Sequence, residues 1–271
     1  MIHLLIVANW LLPMLYLALL IDYGKAFFLR TPRPCSACWL AAVWVLHAGF
    51  LVLLGVHLGR LVPVNNYEVL SALAASMTAV YWLIELASGE RRTGVFVLLT
   101  AFLLQYTASV FLPAADLAGG APSGEAASFH MIPAIVAYTA LTLAAIYGAL
   151  HLAAQRDLKR RRFGLLFDRL PPLELLGRMN WHAALAGLAF ITLSIVSGAV
   201  FYAAGHGEAA AGGPSTKVMI KILAGALAWV IYAIAAGGKW LGGWSPSRVS
   251  MLTVAGFLVV AAMLVASIVL P

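Results

Sequence analysis

The feature that most restricts this chain is a series of eight apolar runs, roughly 3–22, 38–58, 68–88, 94–112, 130–154, 180–203, 216–236 and 249–270. About 20 helical residues at 1.5 Å rise each cross the hydrocarbon core of a bilayer, so every run is long enough to span it. Lipid offers no partner to backbone N–H and C=O groups, which leaves helices and closed barrels as spanning structures, and these runs far exceed barrel strands. The expectation is an all-α, polytopic integral membrane protein of eight transmembrane helices, taken as one domain over residues 1–271. Composition agrees: 63% of residues are hydrophobic, 10% are charged and the mean hydropathy is +0.96. Soluble domains run near one half apolar and about one quarter charged. The first run begins without a basic segment or a small-residue cleavage site, so it is expected to be a retained span and not a signal peptide.

Loops set the orientation, because Lys and Arg in short connections resist translocation. The connections after the first, third, fifth and seventh runs carry fourteen of the seventeen basic residues, among them Lys25, Arg91, Arg92, Arg156, Arg160 to Arg162, Lys239 and Arg248. Only Arg60, Lys217 and Lys221 fall on the other side, which predicts both termini outside. Topology and anionic lipid headgroups then account for the net charge of +7, and a nucleic-acid partner is not implied. The longest connection, Gln155 to Met179, reads as a charged connector or as one short interfacial helix that breaks at Pro171 and Pro172.

Polar residues inside the runs are the candidates for chemistry, since an ionisable group in a span is costly. His47 lies about 12 Å into the second run by helical rise. His57, His130 and His206 form an expected outer layer, and His47, His151 and His182 an inner one. Neutral imidazole is the usual axial ligand of haem iron, and helices can offer one to each face of a porphyrin. Taken singly, His3, His151 and His206 also sit well in the headgroup region as histidines at helix ends; a purely structural reading is weaker for His47, to which hydrocarbon offers no partner. Lys217 and Lys221 are four apart on one helix face, suited to a haem propionate or a lipid phosphate. Glu68 fits a helix start, and Arg91 or Arg92 could neutralise Glu85. Cys35 and Cys38 form a CxxC with Trp39, not histidine, following; they read as small residues at a helix start, or else as a regulatory thiol pair.

Several longer stretches resemble one family. "GRLVPVNNYEVLSALA" is similar to the P-x-x-N-x-Y-E-S loop and helix start of the cytochrome c assembly proteins of the CcsA and HemX type. "HMIPAIVAYTALTLAAIYGAL", "LPPLELLGRMNWHAALAGLAFITLSIVSGAVFY", "KILAGALAWVIYA" and "GGWSPSRVSMLTVAGF" resemble its later core, penultimate helix and closing segment. The likeness runs from about Val43 onward and is greatest to the short HemX and YpjD-like members. It implies a multi-pass protein of the bacterial inner membrane, with membrane or periplasmic cytochrome-assembly or redox subunits as partners. It also implies that His130 is the outer axial ligand to haem, while His47 and His182 match histidines of YpjD-like members. The family's tryptophan-rich haem-handling motif is absent, for "AAGHGEAAAGGPSTKVMI" stands in its place, and His206 is left as the outer-loop substitute for a missing ligand.

The expected function is haem handling in cytochrome c biogenesis, without catalytic turnover. Haem b would be held non-covalently by His47, His130 and His182, with His57, His206 and Lys221 in support. Two other readings remain at this point: a haem b subunit of a quinol-linked electron-transfer complex, and a haem-free scaffold or regulator of haem synthesis.

Overall fold

The computed structural model describes residues 2–29, 36–60, 62–63, 65–112, 125–161, 164–203 and 216–269. Among them the chain forms helices α1 (Ile2–Leu29), α2 (Ser36–Leu58), α3 (Asn66–Ser88), α4 (Gly94–Phe111), α5 (Glu125–Lys159), α6 (Leu165–Arg169), α7 (Leu173–Ala203), α8 (Thr216–Trp240) and α9 (Pro246–Val269), and no strand. All but α6 are long and apolar enough to cross a membrane, which gives the eight spans expected. The helices outrun the apolar runs at several ends: α1 continues to Leu29, α5 to Lys159, and α7 begins at Leu173. Hydropathy marks only the stretch that lipid surrounds, whereas the backbone ladder continues into polar residues. Arg156 and Lys159 in the last turn of α5 oppose the negative end of its dipole. Of the two readings of the long connection the structure has the short helix, α6, which stops just ahead of Pro171 and Pro172; α7 starts directly after them.

Two compact units divide the chain, one with α1 to α4 and the other with α5, α7, α8 and α9, the boundary falling within α6. Each unit is a ring of four helices in which neighbours in the chain are neighbours in space and the last closes on the first. Lipid is as apolar as leucine, so such rings cohere through close packing and interhelical hydrogen bonds. In the second unit Gly187 shows the first device: a Cβ there would lie 2.4 Å from Leu141 Cδ2, so only glycine lets α7 approach α5 this closely. Around it Ala137, Leu141, Ala144, Ala184, Ala224 and Ala228 form a core of small side chains.

Tyrosines supply the second device by crossing from one helix to its diagonal partner. In the first unit Tyr16 of α1 reaches Thr78 of α3 (3.0 Å), and Tyr23 reaches Glu85. In the second, the single hydroxyl hydrogen of Tyr232 on α8 is shared between the carbonyl of Leu141 on the diagonal α5 (3.3 Å) and that of Thr253 on the adjacent α9 (3.1 Å). All three rings are at most 2% exposed, and their hydroxyls find the partners that a buried phenol requires.

Candidate functional site

The first unit encloses a continuous hydrogen-bonded chain that touches all four of its helices. It begins where α1 lacks a bond: Pro13 has no N–H to give the carbonyl of Asn9. Ser109 of α4 fills that gap, its hydroxyl donating to Asn9 O at 2.7 Å, while Asn9 Nδ2 donates to Ser109 O at 3.0 Å. Gln105 Nε2 donates to Ser109 Oγ (3.0 Å), and Ser71 of α3 donates to Gln105 Oε1 (2.8 Å). His47 of α2 follows, with Nε2 3.0 Å from Ser71 Oγ and Nδ1 2.8 Å from the hydroxyl of Tyr16. Thr78 closes the far end by donating to Ala74 O at 2.8 Å. None of these seven polar side chains is more than 4% exposed.

Donor bookkeeping fixes the ring's tautomer. Ser109 has a single hydroxyl hydrogen and a carbonyl to receive it, so it accepts from the Gln105 amide. That turns Gln105 Oε1 toward Ser71, which donates to it and must accept from His47 Nε2–H. In a neutral imidazole Nδ1 then holds the lone pair and accepts from Tyr16. Thr78 is left with one hydrogen for two acceptors, Ala74 O and Tyr16 Oη. Both nitrogens of His47 are thus engaged inside a closed core.

Charged layers lie toward both ends of this unit. Arg60 makes a two-pronged bond to Glu68, 2.7 and 2.8 Å, with side chains only 6% and 5% exposed. Glu68 belongs to a capping box with Asn65 at the start of α3, the helix-start role expected for it. Near the other end Arg91 pairs with Glu85 (3.2 Å), whereas Arg92 pairs with Glu90 (2.9 Å).

In the second unit His130 has a different setting. Its Nδ1–H donates to the carbonyl of Ser194 on α7 at 2.8 Å, and the Ser194 hydroxyl returns a 3.4 Å bond to His130 O. A carbonyl can only accept, so Nε2 is the lone-pair nitrogen of the neutral ring. Gly198, one turn beyond, makes room for the imidazole: a Cβ there would lie 2.8 Å from Nδ1. His151 uses the same device with Leu173 O (3.1 Å), but its Nε2 is buried and meets no partner among the described residues.

The remaining candidates are dispersed. His182 sits on the outside of α7, exposed, with its ring 5.4 Å from that of Trp181. Ser194 is twelve residues farther along the same helix, about 18 Å at helical rise, so His182 and His130 are too far apart to share one iron. His47 belongs to the other unit. His57 is half-buried in the last turn of α2, its Nε2 without a partner among the described residues. Lys221 and Cys38 are exposed; His206 and Cys35 lie outside the described residues, as does the Lys217 side chain. Among the described residues no three His, Cys, Asp or Glu side chains converge as a metal site, so one or two axial ligands is the most this set can offer a porphyrin. Of the histidines the sequence singled out, His130 fits that role: a fixed tautomer, a lone pair and a partly open side chain. His47 does not fit as placed, because iron would have to displace Tyr16 or Ser71.

Sequence reading missed the other members of the buried chain, although a signal exists. Asn9, Tyr16 and Tyr23 recur every seven residues, as do Ser71, Thr78 and Glu85, and seven residues bring a helix back to nearly the same face.

A family model described as cytochrome C assembly protein matches residues 40–269. The chain belongs to the cytochrome c assembly protein family. It is similar to "Protein HemX" of Brevibacillus brevis, with 26% identity over 170 residues, 60% of this chain and 60% of that protein. The chain thus matches about 60% of the length of that curated relative. No solved structure matches. Among the described residues the histidines have the buried chain at His47 and the imidazoles of His130 and His151 pinned to backbone carbonyls.

Proposed function

We propose that this chain handles haem in cytochrome c biogenesis, holding it non-covalently with His130 as one axial ligand. The observation that carries the reading is the bond from His130 Nδ1–H to Ser194 O, which orients the ring and leaves Nε2 as the nitrogen for iron. Haem, when bound, would supply the iron; the chain's own residues supply the orientation of the imidazole. Ser194 holds the tautomer, Gly198 leaves the ring its space, and the small-residue core of the second unit keeps the helices that carry them in register. His206, in the neighbouring outer loop by sequence, is the natural second ligand. His47 is assigned a structural part, since both its nitrogens are spent. Family membership supports a multi-pass membrane protein with partners among membrane or periplasmic assembly subunits; a location in the bacterial inner membrane is part of the same proposal, and the concentration of Lys and Arg in alternate loops supports both termini outside.

The test uses the whole chain purified in mild detergent and supplied with haem, read by its reduced-minus-oxidised spectrum. A b-type signal should be present in the wild type, lost in His130→Ala, and kept in His47→Leu. Gly198→Ala should keep haem but shift its midpoint potential, because the added methyl must push the imidazole aside. An unchanged spectrum in His130→Ala would overturn the assignment.

A further inference from the structure

We infer that Tyr16 and His47 form a redox-active pair: Tyr16 gives one electron to an oxidant of the lipid peroxyl class, and His47 keeps the phenolic proton. A buried phenol gives up an electron only when its proton leaves in the same step, because a charge on the ring is costly in a dry core. That step needs a base within hydrogen-bond reach. Tyr16 has one. Its hydroxyl donates at 2.8 Å to Nδ1 of His47, the lone-pair nitrogen, and neither side chain is exposed. The molecule supplies its own contrast: Tyr232 is 1% exposed, but its hydrogen lies between two backbone carbonyls, at 3.3 and 3.1 Å, and a carbonyl does not hold a proton.

The hydrogen bonds around the pair suit both of its states. In the oxidising step the O–H bond of Tyr16 breaks and an Nδ1–H bond forms. The electron reduces the peroxyl radical, which takes a proton from the aqueous phase and becomes a hydroperoxide. The imidazolium then donates through Nδ1 to the phenoxyl oxygen and through Nε2 to Ser71 as before. Thr78, whose one hydrogen serves two acceptors, turns it from Ala74 O to the phenoxyl oxygen. Only a hydroxyl hydrogen moves. Both nitrogens of His47 face hydroxyls and not carboxylates, so the imidazolium is uncompensated and the radical short-lived. The proton stays beside the oxygen to which it returns.

A route for the electron leads outward. Trp44 lies three residues before His47 on α2 and Trp82 four after Thr78 on α3, each spacing keeping the two side chains on one helix face. The two indoles stack with ring centroids 6.0 Å apart, and both are half-buried, so they connect the pair to the surface of the unit. No step involves His130 or haem.

The experiment places the full chain in lipid nanodiscs without added haem and generates peroxyl radicals with a lipid-soluble azo initiator. Electron paramagnetic resonance of samples frozen at intervals reads the phenoxyl signal. Wild type and Tyr232→Phe should build it up alike, and Tyr16→Phe should lose most of it. His47→Leu keeps Tyr16 but removes the base, and should slow the build-up about a hundredfold. Ser109→Ala breaks the same hydrogen-bonded chain at its far end, leaves the base in place and should keep the signal. Trp44→Phe with Trp82→Phe should slow the build-up. No phenoxyl signal in wild type, an unchanged signal in Tyr16→Phe, or an unchanged rate in His47→Leu would each overturn the assignment. An equal loss in Ser109→Ala would do so too, by making the effect one of a weakened fold, and an unchanged rate without the two indoles would overturn the route.

Discussion

Replacing Tyr16 by phenylalanine removes one oxygen from the centre of the first unit and leaves the ring in place. Two interhelical bonds go with it, to His47 of α2 and to Thr78 of α3. Interhelical side-chain bonds in membranes are worth about 0.6 kcal/mol on average and about 1.7 at most, so the pair contributes roughly 1–3 kcal/mol. The upper part of that range is expected, because Thr78 can fall back on Ala74 O whereas His47 Nδ1 cannot replace its donor. A buried acceptor without a partner costs about 1–3 kcal/mol by itself. The measurement is a denaturation midpoint in mixed detergent and SDS micelles, followed by tryptophan fluorescence, for Tyr16→Phe, His47→Leu and the double variant. With His47→Leu already in place there is no acceptor left to orphan, so the tyrosine substitution should cost about 0.5–2 kcal/mol less than it does alone. A cost below about 0.3 kcal/mol in the single variant, or the same cost in both backgrounds, would refute the bond order derived for the chain.

Arg60→Leu leaves Glu68 buried and without its bidentate partner, an expected loss of about 3–5 kcal/mol, and Arg60→Leu with Glu68→Leu should recover most of it in the same denaturation assay. Gly94→Ala places a methyl 2.4 Å from Tyr81 Oη and 2.5 Å from Tyr23, so a loss of about 1–3 kcal/mol is expected, read as a lower melting temperature of the purified chain. Orientation is read with a single cysteine at Arg161, in a chain whose Cys35 and Cys38 are serine. An impermeant maleimide should label it only after cells are opened, and labelling of intact cells would reverse the topology proposed here.

How far the sequence could be read depends on which property decided each feature. Spans were legible because about 20 apolar residues are a length criterion that lipid enforces everywhere. The Glu68 cap was legible too, its partner Asn65 being three residues away. Arg60 as the other partner of Glu68 was not, since the turn that returns it lies between two helices and leaves no periodic trace. His47 stood out by its charge class, but Tyr16, Ser71, Thr78 and Ser109 pass as ordinary in any hydropathy window, and only their side-chain bonds make them a unit. Depth along a helix placed His182 with His47, yet depth says nothing of azimuth, and His182 proved to face outward. His130 was distinguished by the carbonyl of Ser194, a backbone atom that no residue pattern displays.

The closed order of the first unit has a consequence for how the protein is made. Helices leave the ribosome one after another, and α4 brings the last two members, Gln105 and Ser109. Until it arrives, Ser71 has no amide to receive its proton, and the carbonyl that Pro13 exposes at Asn9 faces hydrocarbon with nothing to accept. A nascent chain of three helices therefore carries two polar gaps that only the fourth can close.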